Sequence, residues 1–135
     1  MFDLGLKNKV VLITGGSDGL GYASAELLSS EGAKVVICGR REDYLKEKAK
    51  IITEKTKNEV LGIKADVSKA EDCKKLVEQT ISKFKKVDIL VNNTQGPPAG
   101  NSLSKDIDSY QEAFDLLFKS IVYTTSLIVP KMQKN

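Results

Sequence analysis

The stretch Val10-Val11-Leu12-Ile13-Thr14-Gly15-Gly16-Ser17-Asp18-Gly19-Leu20-Gly21 decides the reading of this chain. Its apolar, β-branched start predicts a buried strand. The strand ends in a glycine-rich turn, and the turn opens directly into the helix-like segment Tyr22 to Ser30. A helix that starts there has unpaired N–H groups at its first turn and the positive end of its dipole beside them, which together favour a phosphate group. Gly15 permits a sharp exit from the strand at positive φ. Gly19 lets backbone approach a ligand closely, and Gly21 lets the helix pack tightly onto the strand. A glycine-rich loop that binds nothing would give no reason for strand, turn and helix to fall in this order.

Spacing separates this turn from other glycine-rich loops. No Gly-Lys-Ser/Thr follows, so it is not a P-loop. The pattern G-x-G-x-x-G is met only in part, with Ser24 where the third glycine would stand. The pattern T-G-x-x-x-G-x-G is met in full from Thr14 to Gly21.

The rest of the chain alternates between strand and helix patterns. Strands are expected at Lys9–Thr14, Lys34–Cys38, Val60–Lys64 and Ile89–Asn93. Helices are expected at Leu20–Glu31, stopped by Gly32, and at Glu42–Lys57, with Tyr44, Leu45, Ala49, Ile51 and Ile52 on its apolar side. Ser68 with Glu71 reads as a capping box for a third helix running to about Phe84, with Cys73, Leu76, Val77, Thr80, Ile81 and Phe84 at helical spacing. A Gly/Pro loop from Gln95 to Lys105 precedes a long helix from about Ile107 to Met132. Alternation of this kind predicts a Rossmann-like, doubly wound parallel sheet with helices on both faces, most simply in strand order 3-2-1-4. The ligand crevice then lies between strands 1 and 4 at their carboxyl ends, where the glycine turn meets Asn92-Asn93-Thr94.

Composition narrows the function classes. The chain has 135 residues, 41% of them hydrophobic, and a net charge of +3, which fits one domain with a sizeable core. Its lysines are scattered among acids, as in Glu42 and Lys46, and no basic block with interleaved aromatics points to nucleic acid. Cys38 and Cys73 have neither metal spacing nor a secretory context, so reduced cytosolic thiols and a cytoplasmic protein are expected. The chain has no histidine, which removes the commonest metal ligand and acid–base group. No metal site is expected. The N-terminus lacks the apolar core of a signal peptide, and no run of 18 or more apolar residues is seen, so no membrane partner is expected.

With the Thr14–Gly21 motif, the chain resembles the short-chain dehydrogenase/reductase family. Leu6-Lys7-Asn8-Lys9-Val10 is similar to the family's lead-in to strand 1. Asp66-Val67 resembles its adenine-contacting Asp-Val, and Asp88-Ile89-Leu90-Val91-Asn92-Asn93 the segment that runs into its Asn-Asn-Ala-Gly. Pro130-Lys131-Met132 resembles the end of its helix after strand 4. The likeness covers essentially the whole chain. It implies that residues 1–135 are a single NAD(P)-binding Rossmann domain. This is the N-terminal part of a longer domain, truncated before strand 5, since six or more strands at about 30 residues per step need near 200 residues.

The end of strand 2 selects the cofactor. An acid there would bond the ribose hydroxyls of NAD, but Gly39 stands in that place, followed by Arg40 and Arg41. A guanidinium matches a 2′-phosphate, so NADP is expected over NAD. Asp18 runs against this, since many NADP-using relatives carry a basic residue at that position of the turn. The expected cofactor-binding residues are Gly15, Ser17, Asp18, Gly19, Leu20, Gly21, Arg40, Arg41, Asp66, Val67, Asn93 and Thr94. Some have a second reading: Arg40 and Arg41 as solvated loop charges, Asp66 as the charge before the next helix, Asn92 and Asn93 as ties between strand end and backbone. Thr94 and Gln95 replace the family's Ala and Gly.

The resemblance implies hydride transfer between nicotinamide and a carbonyl or alcohol, using a serine and a Tyr-x-x-x-Lys pair placed after strands 5 and 6. No catalytic residue is assigned here. Tyr44 to Lys48 matches the pair by chance, in the helix after strand 2, with no candidate serine beside it. The family's helix asparagine is replaced by Leu117. Gly96-Pro97-Pro98 is similar to relatives labelled 3-oxoacyl carrier-protein reductases. The expected function is an NADP-dependent short-chain oxidoreductase acting on a small carbonyl or alcohol, this chain being its cofactor-binding half and inactive alone. The alternative is a non-catalytic dinucleotide-binding or interaction module. A methyltransferase fits less well, because Gly39 is not the acid such domains favour. Apolar residues around the last helix, and the family's pairing of that helix with its copy, imply a homo-oligomer.

Overall fold

The apolar run before the glycine turn forms strand β1, Val10–Ile13, with every residue buried. The computed structural model describes residues 2–94, 96, 99–101, 103 and 106–132. Along them follow α1 Gly19–Ser30, β2 Lys34–Gly39, α2 Glu42–Thr56, β3 Val60–Lys64, α3 Ala70–Phe84 and β4 Ile89–Val91. A last helical stretch comprises α4 Ile107–Phe114, a π turn Asp115–Lys119 and α5 Ser120–Met132. The strands form one parallel four-stranded sheet in the expected order β3-β2-β1-β4. Leu12 pairs with Val36 on one side and Leu90 on the other.

Side chains alternate across the sheet, as the pleat requires. Leu12, Val36, Cys38 and Ile63 enter a core with Cys73, Leu76 and Val77 of α3 and Ile128 of α5. Val11, Ile13, Val35 and Ile37 enter the opposite core with Ala25 of α1 and Leu45, Ala49 and Ile52 of α2. Burial of each Val, Leu or Ile side chain contributes about 1.5–3 kcal/mol, and central strands buried on both faces concentrate that gain. At the far end from the glycine turn, Asp88 accepts a hydrogen bond from the Val10 N–H at 2.8 Å and pairs with Lys86 at 3.0 Å. Burial acts to raise its pKa, but the Val10 N–H and Lys86 together hold it below the usual carboxylate value.

Several expectations are corrected by local competition for hydrogen bonds. Ser68 and Glu71 do not form a capping box. The N-cap of α3 is Lys69, without a side-chain cap. The Ser68 hydroxyl is taken instead by Asp66, whose Oδ1 accepts it at 2.6 Å and the Ser68 N–H at 3.1 Å. Asp72 Oδ2 accepts from the Asp66 N–H at 2.8 Å. β4 ends at Val91 rather than Asn93, because the Asn93 N–H turns to the Thr14 hydroxyl at 2.8 Å. Ile51 is exposed, not on the apolar face of α2. Gly32 does stop α1 as expected, at φ +89°, with Gly32 N–H to Ser29 carbonyl and Ala33 N–H to Leu28 carbonyl closing the helix end.

The last helix is interrupted by the π turn, whereas an unbroken helix was expected. Its whole run, Ile107–Met132, is also long and apolar enough to cross a membrane by length and composition. It is not an uninterrupted apolar run, since Lys119, Ser120, Thr124 and Thr125 fall within it. In the fold, Ser120, Thr124 and Ile128 of this run are buried, with Ile128 joining the α3 side of the core.

Candidate nucleotide-binding site

At the carboxyl ends of β1, β2, β3 and β4 the chain leaves a cleft of about 610 Å³. It is lined by Gly15, Ser17, Asp18, Gly19, Leu20, Arg40, Arg41, Asp66, Val67, Asn93 and Thr94. Those are all the expected binding residues except Gly21. Cys38, Gly39, Ala65 and Leu116 complete the wall. Ala65 is a neighbour of Asp66, and Gly39 of Arg40, so adjacency alone could have added them. Leu116 carries no signal in the sequence. It reaches the cleft from the π turn, a helix irregularity that recurs near functional sites.

The glycines take different parts. Gly15 and Gly19 both have positive φ, +60° and +55°. A Cβ on Gly15 would stand 2.6 Å from the Asn93 carbonyl oxygen, whereas one on Gly19 would meet nothing within 4 Å. Gly15 therefore serves a close backbone approach within the fold, and Gly19 faces the open space of the cleft. Gly21 lies behind the cleft. Its Cβ would stand 2.1 Å from the Gly15 carbonyl oxygen, so its role is packing of α1 against the turn. Gly16, to which the sequence assigned no task, has the same constraint against Ile37 at 2.5 Å.

The turn is locked to β4 by a small polar cluster. The Thr14 hydroxyl donates to the Asn93 carbonyl at 2.8 Å and accepts from the Asn93 N–H. The Asn93 side-chain amide donates to the Gly15 carbonyl at 2.9 Å. Asn92 ties the same strand end to α5, accepting from Thr124 at 2.6 Å and donating to Thr125 at 3.2 Å. Asn93 is thus both cleft wall and structural tie. Asp66 is likewise shared: Oδ1 belongs to its turn with Ser68, while the residue also lines the cleft.

Helix α1 begins at the cleft with Asp18 as its N-cap, in extended conformation but with no side-chain cap bond. The first bond of the helix is Tyr22 N–H to the Asp18 carbonyl at 3.2 Å. The Asp18 carboxylate is engaged elsewhere. Oδ2 pairs with Arg41 at 2.9 Å, and Oδ1 accepts the Tyr44 hydroxyl at 2.5 Å. Arg41 also lies over the Tyr44 ring, 4.1 Å from its centroid. Arg40 is exposed in the cleft wall and makes no ion pair among the described residues. Tyr44 and Lys48, the pair matched by chance in the sequence, are both engaged within the fold. The hydroxyl is held by Asp18, and Lys48 Nζ stands over the ring at 5.1 Å.

Cys38, at the floor of the cleft, is buried, and burial pushes its thiol up to about 12 despite a backbone hydrogen bond with Gly15. Cys73, buried next to the Val67 carbonyl, is raised to about 11 by burial first and by the Asp72 and Asp66 charges after it. Both stay protonated near neutral pH and offer no thiolate nucleophile. No group of three or more metal-ligating side chains occurs among the described residues. Gln95, Pro97 and Pro98, in the Gly/Pro loop expected from Gln95 to Lys105, lie outside the described residues.

The family profile described as short chain dehydrogenase matches residues 9–135. The chain is 38% identical to 11-beta-hydroxysteroid dehydrogenase A of Sesamum indicum over 137 aligned positions, covering 100% of this chain and 39% of that protein. L-sorbose reductase from Gluconobacter frateurii, solved with NADPH and L-sorbose, superposes with a TM-score of 0.94 at 34% identity over 98% of this chain and 51% of its own. The 3-ketoacyl-(acyl-carrier-protein) reductase from Brucella melitensis, solved with NADH, superposes with a TM-score of 0.87 at 32% identity, over 96% of this chain and 52% of its own. The chain thus spans about half the length of these solved relatives, and less of the plant enzyme.

Proposed function

The chain belongs to the short-chain dehydrogenase family, and on that premise we propose that its cleft binds a nicotinamide dinucleotide with preference for NADP. The residues fit such a group. The cleft volume of about 610 Å³ is that of a small-molecule site. The uncapped N-terminus of α1 offers backbone donors and a positive dipole to the pyrophosphate, and the open side of Gly19 admits it. Asp66 and Val67 would hold the adenine end, and Asn93 and Thr94 the nicotinamide ribose. When bound, the nicotinamide gives or takes hydride at a carbonyl or alcohol carbon.

Arg40 carries the NADP preference. It is the arginine of the pair without an ion-pair partner among the described residues, since Arg41 is engaged by Asp18. The 2′-phosphate would complete it with charge-assisted bonds. Gly39 beside it supplies no acid for the ribose of NAD. The bound nucleotides of the neighbours, NADPH in the sorbose reductase and NADH in the ketoacyl reductase, show that the family divides on this point.

For the whole protein we propose reduction of a small carbonyl compound or the reverse reaction. A 3-oxoacyl thioester is one candidate, supported by the likeness to the Brucella reductase. In this reading the serine, tyrosine and lysine of the reaction lie outside these positions, so the chain binds nucleotide without turning it over. The test is calorimetric titration of NADP and NAD into the wild type and Arg40→Ala. NADP should bind more tightly to the wild type, and the substitution should remove about 1–3 kcal/mol of that preference. Equal affinities for both nucleotides before and after substitution would reject it.

A further inference from the structure

Aspartate is among the best N-capping residues, because its carboxylate accepts from the second or third N–H of the helix. Asp18 has the right position and the extended backbone of an N-cap, φ −144° and ψ 166°, yet it caps nothing. Both carboxylate oxygens are drawn aside, Oδ2 by Arg41 at 2.9 Å and Oδ1 by Tyr44 at 2.5 Å. The two partners support each other. The Arg41 guanidinium rests on the Tyr44 ring at 4.1 Å, and Lys48 stands on the same ring at 5.1 Å.

We propose that Arg41 and Tyr44 act as a clamp that keeps Asp18 from capping α1, and so leaves the helix N-terminus free for the dinucleotide's pyrophosphate. An Asp18 released from the clamp would occupy the N–H groups of Leu20 or Gly21 and place a negative charge where the pyrophosphate must sit. Arg41 and Tyr44 are therefore positioning residues that work through Asp18. The inference rests on the cleft being a dinucleotide site. It also gives Asp18, an acid at the mouth of an anion site, a reason not to oppose binding.

The consequences differ from those of Arg40. The pyrophosphate is common to NAD and NADP, so loss of the clamp weakens both alike and leaves their ratio unchanged. The experiment measures the dissociation constants of NAD and NADP for the wild type, Arg41→Ala/Tyr44→Phe, Asp18→Ala, and the triple variant. The clamp variant should bind both nucleotides less tightly by a factor of about ten, the scale of one charged cap. Adding Asp18→Ala should return both affinities to within about twofold of the wild type, which no purely structural defect would do. Once Asp18 is alanine the clamp has nothing to hold, so Asp18→Ala and the triple variant should bind each nucleotide alike.

Three results would overturn the clamp while leaving the nucleotide site standing. They are a loss confined to NADP, which would make Arg41 a phosphate ligand; a loss not rescued by Asp18→Ala; and a triple variant that binds less tightly than Asp18→Ala. A wild type that binds neither nucleotide would overturn both the site and the clamp.

Discussion

At the scale of single residues, the glycines divide into those that face open space and those that make room for the protein. Gly21 is of the second kind. A methyl group there would stand 2.1 Å from the Gly15 carbonyl and 2.7 Å from the Asn93 amide. Both neighbours are fixed, one as backbone and one by its bond to that same carbonyl. Gly21→Ala should therefore cost about 1–3 kcal/mol in chemical unfolding, since overpacking forces the turn to move. It should also abolish nucleotide binding. Gly39 is the contrasting case. Its added Cβ would lie 3.4 Å from Ser17 Oγ and 3.6 Å from Leu45, an ordinary contact. Gly39→Asp should leave the unfolding midpoint nearly unchanged, lower NADP affinity by charge repulsion and raise NAD affinity through the ribose hydroxyls. A Gly39→Asp variant that still prefers NADP would show that Arg40 outweighs the acid.

What the sequence could tell at this scale depended on how local the cause was. The positive φ of Gly15 and the tight packing at Gly21 follow from a single eight-residue pattern and were legible. The engagement of Asp18 was not, because its partners Arg41 and Tyr44 are 23 and 26 positions away and meet it only when β1 and β2 lie side by side. The capping box at Ser68 misled for the opposite reason. Two equally local motifs competed, and the Asp66 turn took the hydroxyl.

At the scale of elements, helices α2 and α3 end alike. Each closes on a lysine in the left-handed region, Lys57 at φ +62° and Lys85 at φ +68°. A side chain there costs about 1 kcal/mol that a glycine would not. Lys57 makes no side-chain bond that would be lost with it among the described residues, whereas Lys85 donates to the Ser82 carbonyl at 2.8 Å. Lys57→Gly should stabilise the chain by about 0.5 kcal/mol in denaturant, the conformational gain being partly offset by the greater freedom of glycine in the unfolded state. Loss of stability in Lys57→Gly would mean that the lysine contributes through its aliphatic stem. Element order and sheet order were legible, because short apolar strand runs and helices of period 3.6 alternate without a break. The π turn was not, since no proline or glycine marks Asp115–Lys119.

At the scale of the whole molecule, a strand edge and a helix face stand open among the described residues. β4 is an edge strand among the described residues, with β1 on one side only. An open strand edge is a template for pairing with another chain. Beside it the last helical stretch buries Ser120, Thr124 and Ile128 but exposes Phe114, Leu117, Phe118, Ile121 and Val122. Phe114 and Phe118 stack on each other with centroids 5.1 Å apart, which extends the apolar patch across the π turn. A contiguous apolar patch of this kind marks an association surface. The chain should therefore self-associate through this helix, and sedimentation at high micromolar concentration should show a dimer or larger species. Ile121→Lys places a charge in the middle of the patch, where leaving it unpaired in an interface is costly. The variant should shift sedimentation toward monomer while the affinity for nucleotide, whose cleft Ile121 does not line, stays the same. A wild type that sediments cleanly as a monomer would refute the association. A variant that assembles as before would point to the β4 edge instead, an unpaired strand edge among the described residues.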